Sequence, residues 1–139
     1  MKFNEYNYGQ GDNSYTAAGG LAGITNLVDT FYSNMEMFFE AEKIRAMHPQ
    51  DLTESRKKLT YFLSGWLGGP KLYLENYGSI NIPGFHKYLT IGNEERDAWL
   101  LCMRSAINSQ DYDLSFKEYL YSQLKIPAER VQKISSGNS

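Results

Sequence analysis

The feature that most constrains the fold of this chain is an apolar stripe that ends at a glycine-proline break. Apolar side chains recur at helical spacing at Leu52, Leu59, Phe62, Leu63, Trp66 and Leu67. That period predicts one buried face of a helix. Asp51 can cap the helix, with Glu54 three residues later as in a capping box. Gly68-Gly69-Pro70 ends it, so the chain must pack a long amphipathic helix against other elements.

Further helices are predicted on both sides of this one. The first covers residues 21–38, after Gly19-Gly20, and its apolar face consists of Ile24, Leu27, Val28, Phe31, Tyr32 and Met35. A short segment over residues 41–47 stops at His48-Pro49, because a residue before proline is disfavoured in the α region.

Helical spacing returns after Gly92, with Asn93 as the expected cap. The apolar face of this helix consists of Trp99, Cys102, Met103, Ala106 and Ile107. A final helix begins near Asp113, and we expect Pro127 to kink or end it. No strand pattern competes, so the sequence predicts an all-α fold.

Length and composition narrow the domain organisation and the classes of function. We expect one domain over residues 17–134, between a flexible extension at residues 1–16 and a disordered tail at residues 135–139. The net charge of −2 without a basic run argues against nucleic-acid binding. The single cysteine, Cys102, excludes an internal disulfide and fits a reducing compartment. With neither a signal peptide nor an apolar run of the length of a membrane span, we expect a cytoplasmic protein.

Residues 71–90 have poor periodicity, and irregular segments of this length in a compact domain are more often functional than idle. They contain one of the two histidines, His86, directly after Pro83-Gly84-Phe85. The ordinary interpretation is a partly exposed loop histidine. The functional interpretation is an imidazole that binds a haem iron through one ring nitrogen. The aromatic content of 14% also suits a chain that encloses a large flat apolar ligand.

Three other side chains have both a structural and a functional interpretation. Tyr32 and Trp99 lie on apolar helix faces and can be plain core residues, but the indole N–H can only donate a hydrogen bond. Together they would suit a bound diatomic ligand with a partial negative charge. His48 is either a solvated corner residue or a second polar group beside that ligand, able to donate to it or to compete for iron.

Other chemistries fit the sequence less well. Two histidines without a His-x-x-x-His or Glu-x-x-His spacing disfavour a structural zinc site and a di-iron bundle. Gly68-Gly69-Pro70-Lys71 lacks the spacing and the hydroxyl residue of a phosphate-binding loop. Cys102 lies on a helix face and is interpreted as a core residue.

Taken in order along the chain, these residues resemble the group II truncated haemoglobins, small globins of bacteria and plants. The resemblance rests on Gly19-Gly20, Phe31-Tyr32, Met47-His48-Pro49, the string from Phe62 to Pro70, Tyr73, His86, and the string from Glu95 to Met103. It covers residues 15 to about 125, and the two strings are its specific part.

The resemblance implies a two-over-two helical sandwich around haem b, with His86 as the proximal ligand of the iron. It implies Tyr32 and Trp99 as distal hydrogen-bond donors and His48 as a distal polar residue. Ser55 and Leu59, four residues apart on one helix face, match positions that line the ligand site. Haem contacts are expected from Phe31, Phe62, Leu63, Tyr73, Lys87, Ile91 and Met103.

The chain departs from the family pattern in three places. Phe85 stands before the proximal histidine where the family often has arginine, so the resemblance does not carry over that arginine's contact to a haem propionate, and Lys87 or another cation is the candidate to replace it. The N-terminal extension is longer than usual, and Pro127 interrupts a helix that is normally continuous.

The resemblance implies reversible binding of O2, with CO, NO or peroxide as further small ligands. Two or three hydrogen-bond donors should make oxygen release slow, which favours detoxification of reactive nitrogen or oxygen species with electrons from an unidentified reductase. The alternatives are a non-catalytic oxygen carrier, store or gas sensor, and an all-α interaction module without cofactor. A monomer or weak dimer is expected.

Overall fold

The computed structural model describes residues 7–78 and 92–137, with side chains as far as residue 129. All regular structure in these ranges is helical, as predicted. The α-helices are α1 (Asn13–Ala17), α2 (Gly20–Met37), α3 (Glu42–Ala46), α4 (Thr53–Trp66), α5 (Leu72–Tyr77), α6 (Asn93–Ser109) and α7 (Leu114–Gly137). A 3-10 turn, Phe39–Ala41, joins α2 to α3.

Helix α2 lies at the centre of the core. It packs against α4 on one side and α6 on the other, and α7 packs against α6. The largest fully buried side chains come from α2, α4, α6 and α7 and are led by Phe31, Phe116, Ile24, Leu27, Met35, Leu63 and Met103. Each such side chain contributes about 1.5–3 kcal/mol relative to an exposed one. The core thus holds the helices that carry Tyr32, Ser55 and Trp99.

The Gly68-Gly69-Pro70 break is the place where the N-terminal segment docks. Gly68 has φ +93°, and a Cβ there would lie 2.0 Å from the Gly11 carbonyl oxygen. A Cβ on Gly69 would lie 2.3 Å from the Tyr15 ring. The Tyr15 N–H donates to the Leu67 carbonyl at 3.0 Å. The glycines therefore serve close packing as well as helix termination, and the described part of residues 1–16 contacts the core.

Two predicted helix starts need correction. Helix α4 begins at Thr53, whose N–H donates to Asp51 Oδ1 at 2.9 Å, but Glu54 does not close a capping box and instead accepts a bond from Tyr77. Helix α6 is capped at Gly92, not at Asn93, because the Glu95 carboxylate accepts the Gly92 N–H at 2.6 Å.

The prediction that the last helix could end at Pro127 is also wrong. Helix α7 runs through it to Gly137. Proline removes one intrahelical bond at a cost of about 3 kcal/mol. The buried side chains of Phe116, Leu120 and Leu124 hold the preceding turns on the core, which offsets that cost. Among the described residues, no helix combines the length and the apolar character that crossing a membrane requires.

Candidate functional site

Four aromatic side chains from three parts of the fold converge on one side of the core. The ring centroid of Phe31 lies 4.9 Å from that of Tyr32 and 5.1 Å from that of Trp99. The Tyr32 and His48 rings meet edge to face, with centroids 5.8 Å apart. Phe31 thus contacts both Tyr32 and Trp99, and Tyr32 contacts His48, so the three predicted polar side chains belong to one chain of ring contacts. We call these four residues the distal cluster.

Tyr32 presents a neutral hydroxyl within this cluster. Its side chain is buried, and burial raises its pKa to about 12, although the positive charge of Arg56 acts in the opposite direction. The hydroxyl donates to the Ser55 carbonyl oxygen of α4 at 3.5 Å, which is long for an O–H···O bond. A weakly held phenol that keeps its proton at neutral pH is well suited to donate to a ligand.

His48 has a defined tautomer when it is neutral. Its Nδ1 lies 2.8 Å from the Ile44 carbonyl oxygen, which can only accept. Nδ1 therefore carries the proton, and Nε2 carries the lone pair that can accept a hydrogen bond or bind a metal. The neutral ring can thus donate to a ligand only from Nδ1, which the Ile44 carbonyl already engages.

Trp99 supplies a second donor. Its ring is half-buried against Phe31, and its indole N–H donates to no group in the described part of the chain. Ser55 and Leu59 are half-buried on α4, where the Ser55 carbonyl meets the Tyr32 hydroxyl.

One face of α4 is apolar but only half-buried. Leu59, Phe62 and Trp66 follow one another at intervals of three and four residues, and the Phe62 and Trp66 rings stack with centroids 6.2 Å apart. Leu63 lies fully in the core, as do Phe31 and Met103. Such a face matches a large flat apolar group that packs along a helix.

The remaining predicted site residues lie elsewhere. Tyr73 is half-buried on α5, with its ring 5.0 Å from that of Tyr77. His86, Lys87 and Ile91, together with Phe85, lie outside the described residues.

Sequence reasoning did not single out two buried polar residues of α2 and α6 as parts of the site. Asn34 is buried on α2 and its amide donates to the Cys102 carbonyl of α6 at 3.0 Å. Glu95 is 6% exposed, and its carboxylate lies 3.2 Å from Lys43 Nζ. The Gly92 N–H, together with Lys43, holds the pKa of Glu95 below its usual value. The sequence contained one signal for such a residue: Asn34 lies between Phe31 and Met35, at the spacing of the apolar face, where a polar side chain must find a hydrogen-bond partner.

The family model of the bacterial-like globins matches residues 13–132. The chain belongs to this family. A curated relative, the group 2 truncated hemoglobin YjbI of Bacillus subtilis, is 35% identical over 123 residues, which cover 88% of this chain and 91% of the relative. Within the bacterial-like globins the chain is therefore a group II truncated haemoglobin, as its sequence resemblance implied.

Solved structures agree with this assignment. The group II 2-on-2 hemoglobin of Agrobacterium tumefaciens has a TM-score of 0.82 at 36% identity, over 86% of this chain and 92% of that one. A truncated haemoglobin of Bacillus subtilis has a TM-score of 0.76 at 35% identity, over 85% and 97% of the two chains. The fold is thus that of a truncated 2-on-2 globin.

Membership of this globin family implies a haem cofactor and the binding of O2. The described residues of this truncated haemoglobin fit such a group. The half-buried apolar face of α4 offers a wall for a flat macrocycle, and the distal cluster supplies polar groups beside it. Phe62 and Trp66 would hold the macrocycle, while Tyr32 and Trp99 would face its ligand.

Proposed function

We propose that this truncated haemoglobin holds haem b through His86 and binds O2 on the side of Tyr32, His48 and Trp99. We propose further that it uses the bound gas to detoxify reactive nitrogen or oxygen species. The observation that carries the proposal is the continuous series of ring contacts that joins Trp99 through Phe31 to Tyr32, and Tyr32 to His48. Haem supplies the iron that binds a diatomic ligand.

The polar atoms of the distal cluster support strong retention of the ligand. The Tyr32 hydroxyl would lose only one long hydrogen bond, of 3.5 Å, when it donates to a ligand. The Trp99 indole N–H donates to no group in the described part of the chain. A hydrogen bond to a group with partial charge contributes about 1.5–3 kcal/mol. That range corresponds to about tenfold to a hundredfold slower dissociation for each donor. The Bacillus subtilis haemoglobin of known structure is itself described as oxygen-avid.

Slow release of O2 argues against simple delivery and favours a reaction at the site. In the proposed dioxygenation, nitric oxide and O2 combine to nitrate with one electron from a reductant, which an unidentified reductase supplies. Peroxide turnover and decomposition of peroxynitrite are the related reactions. Tyr32 and Trp99 would orient the oxygen ligand and stabilise its partial negative charge. We also propose that the protein is located in the cytoplasm and is a monomer or a weak dimer.

The neutral tautomer of His48 refines the expectation for the distal side. Because Nδ1 donates to Ile44, Nε2 is the atom through which His48 would compete for iron when no gas is bound. An absorption spectrum of the ferrous, gas-free protein tests this directly. A six-coordinate spectrum that becomes five-coordinate in His48→Phe is expected, whereas a purely five-coordinate wild type would contradict it for the reduced state.

The proximal assignment is tested with the two histidines as a matched pair. His86→Gly should abolish histidine-ligated haem, seen as loss of the normal Soret band with and without dithionite and CO. His48→Phe should retain that band, because it removes only a distal group. An unchanged histidine-bound spectrum in His86→Gly would overturn the assignment.

The reaction is tested by stopped-flow mixing of the protein, equilibrated with O2, with nitric oxide. Stoichiometric nitrate is expected, and Trp99→Phe should raise the rate of O2 dissociation. A fast wild-type dissociation that Trp99→Phe leaves unaltered, without nitrate, would instead indicate a carrier, store or sensor.

A further inference from the structure

Four charged side chains form a network on the outer side of the distal cluster. Arg56 of α4 has its Nη1 3.4 Å from Asp29 Oδ1 and its Nη2 3.8 Å from Glu36 Oε1. Arg45 of α3 has its Nε 3.8 Å from Glu36 Oε2. Glu36 of α2 therefore bridges an arginine from α3 and an arginine from α4. We call these four residues the distal charge network.

The network lies directly beside Tyr32. Asp29 and Glu36 are three residues before and four residues after Tyr32, so all three share one face of α2. Arg56 follows Ser55, whose carbonyl accepts the Tyr32 hydroxyl. From this position the positive charge of Arg56 acts to lower the pKa of Tyr32, against the larger effect of burial.

The same network holds the corner that carries His48. The Arg45 guanidinium donates to the carbonyl oxygens of Pro49 at 3.0 Å and Gln50 at 2.9 Å, the two residues after His48. Through Glu36, this arginine ties the corner to α2. The positions of His48 and of the start of α4 relative to Tyr32 thus depend on one shared carboxylate.

We propose that Arg45 and Arg56, held by Asp29 and Glu36, are positioning residues that close the corner and α4 over the ligand site, so that a ligand enters when these ion pairs separate. The inference rests on the proposed function of the site. The four side chains are between 22% and 49% exposed, so their pairs are partly screened by solvent. Such pairs are individually weak and sensitive to salt, which suits a closure that must open at each binding event.

Glu36→Gln is the sharpest test, because it removes the negative charge that both arginines share. Glu42→Gln is the matched control: it makes the same charge change on an exposed residue of α3, outside the network. CO serves as the probe because it is uncharged. In the haem-loaded protein, flash photolysis should show CO association about two- to tenfold faster in Glu36→Gln than in wild type. High salt should accelerate wild type and Glu42→Gln more than Glu36→Gln, which retains only the Arg56–Asp29 pair of the network.

Amide hydrogen exchange of the full-length chain provides the second readout, which requires no ligand. Exchange over residues 48–57 should be faster in Glu36→Gln than in wild type or Glu42→Gln. Equal CO association rates in all three proteins would overturn the proposal that the network controls ligand entry. Equal amide exchange rates over residues 48–57 would overturn the proposal that it positions the corner and α4. If the chain bound no haem, the proposed function would fail, while the exchange measurement would still decide the positioning role.

Discussion

The distal cluster and a second aromatic cluster have the same kind of packing and different polar contacts. The second cluster joins Tyr8 to Tyr112, Phe116 and Tyr119 beside α7. Its ring centroids lie 5.1–5.3 Å apart for Tyr112–Phe116, Tyr8–Tyr119 and Tyr8–Phe116. The corresponding distances in the distal cluster run from 4.9 to 5.8 Å. Ring geometry therefore does not distinguish a ligand site from a structural contact.

Hydrogen bonding distinguishes Tyr32 of the distal cluster from Tyr8 and Tyr112 of the second cluster. In the second, the Tyr8 hydroxyl lies 2.9 Å from Ser115 Oγ, and the Tyr112 hydroxyl donates to the Ala18 carbonyl at 3.2 Å. In the distal cluster, the Tyr32 bond is 3.5 Å long and Trp99 donates to no described group. Burial raises the pKa of both Tyr32 and Tyr112 to about 12. The comparison teaches that neither burial nor stacking indicates a ligand site, and that the long hydroxyl bond is what separates Tyr32 from Tyr112.

Removing one hydroxyl from each cluster should give opposite results. Tyr32→Phe should speed O2 dissociation by about tenfold to a hundredfold, because a donor worth about 1.5–3 kcal/mol is lost. Tyr112→Phe should leave that rate within about twofold but lower the free energy of unfolding by about 1 kcal/mol. Stopped-flow kinetics and urea unfolding measure the two quantities. Equal changes of the dissociation rate in both variants would refute the comparison.

The two tryptophans sharpen the comparison for the indole donor. Trp99→Phe should raise the O2 dissociation rate by about tenfold, since it keeps an aromatic ring and removes the N–H. Trp66→Phe makes the same chemical change on the half-buried face of α4 that would hold the macrocycle, and, because it removes no donor to the ligand, it should raise the O2 dissociation rate less than Trp99→Phe does. A larger effect from Trp66→Phe would move the donor role away from α6.

The Glu95 carboxylate already accepts the Gly92 N–H and pairs with Lys43, so we expect this residue, four positions before Trp99, to affect stability and not the ligand. Glu95→Ala should cost about 1 kcal/mol of unfolding free energy, as for the loss of a helix cap, and leave O2 dissociation unaltered. The neighbouring exposed Glu94→Ala is the control.

The pH dependence of that cost follows from the lowered pKa of Glu95. Because the folded pKa lies below the ordinary value of 4.5, the stabilisation is fully present above that pH. It is lost as the pH falls through the folded pKa. The difference in unfolding free energy between wild type and Glu95→Ala should therefore be constant near neutral pH and shrink in acid. A difference that grows in acid would contradict this assignment.

Most helices could be predicted because apolar spacing and local breaks encode them. The predicted 21–38 segment is α2 at Gly20–Met37, and the predicted 41–47 segment contains α3 at Glu42–Ala46. The helix starts were less predictable, since capping depends on which side chain reaches the backbone. Glu54 had a better partner in Tyr77, and Glu95 took the role given to Asn93. Helix α7 passed Pro127 because long-range packing outweighed one lost bond.

The sequence by itself determined the all-α fold and the family, and it predicted the polar side chains of the distal cluster, because these follow from periodicity and from motifs in order. Only the tertiary structure decided which hydrogen bonds and ion pairs those side chains and their neighbours form. The tautomer of His48 depends on the Ile44 carbonyl, the weak bond of Tyr32 on Ser55, and the bridging role of Glu36 on arginines from two other helices. Hydrogen bonds and ion pairs join atoms that are distant in sequence, and no local pattern specifies their partners.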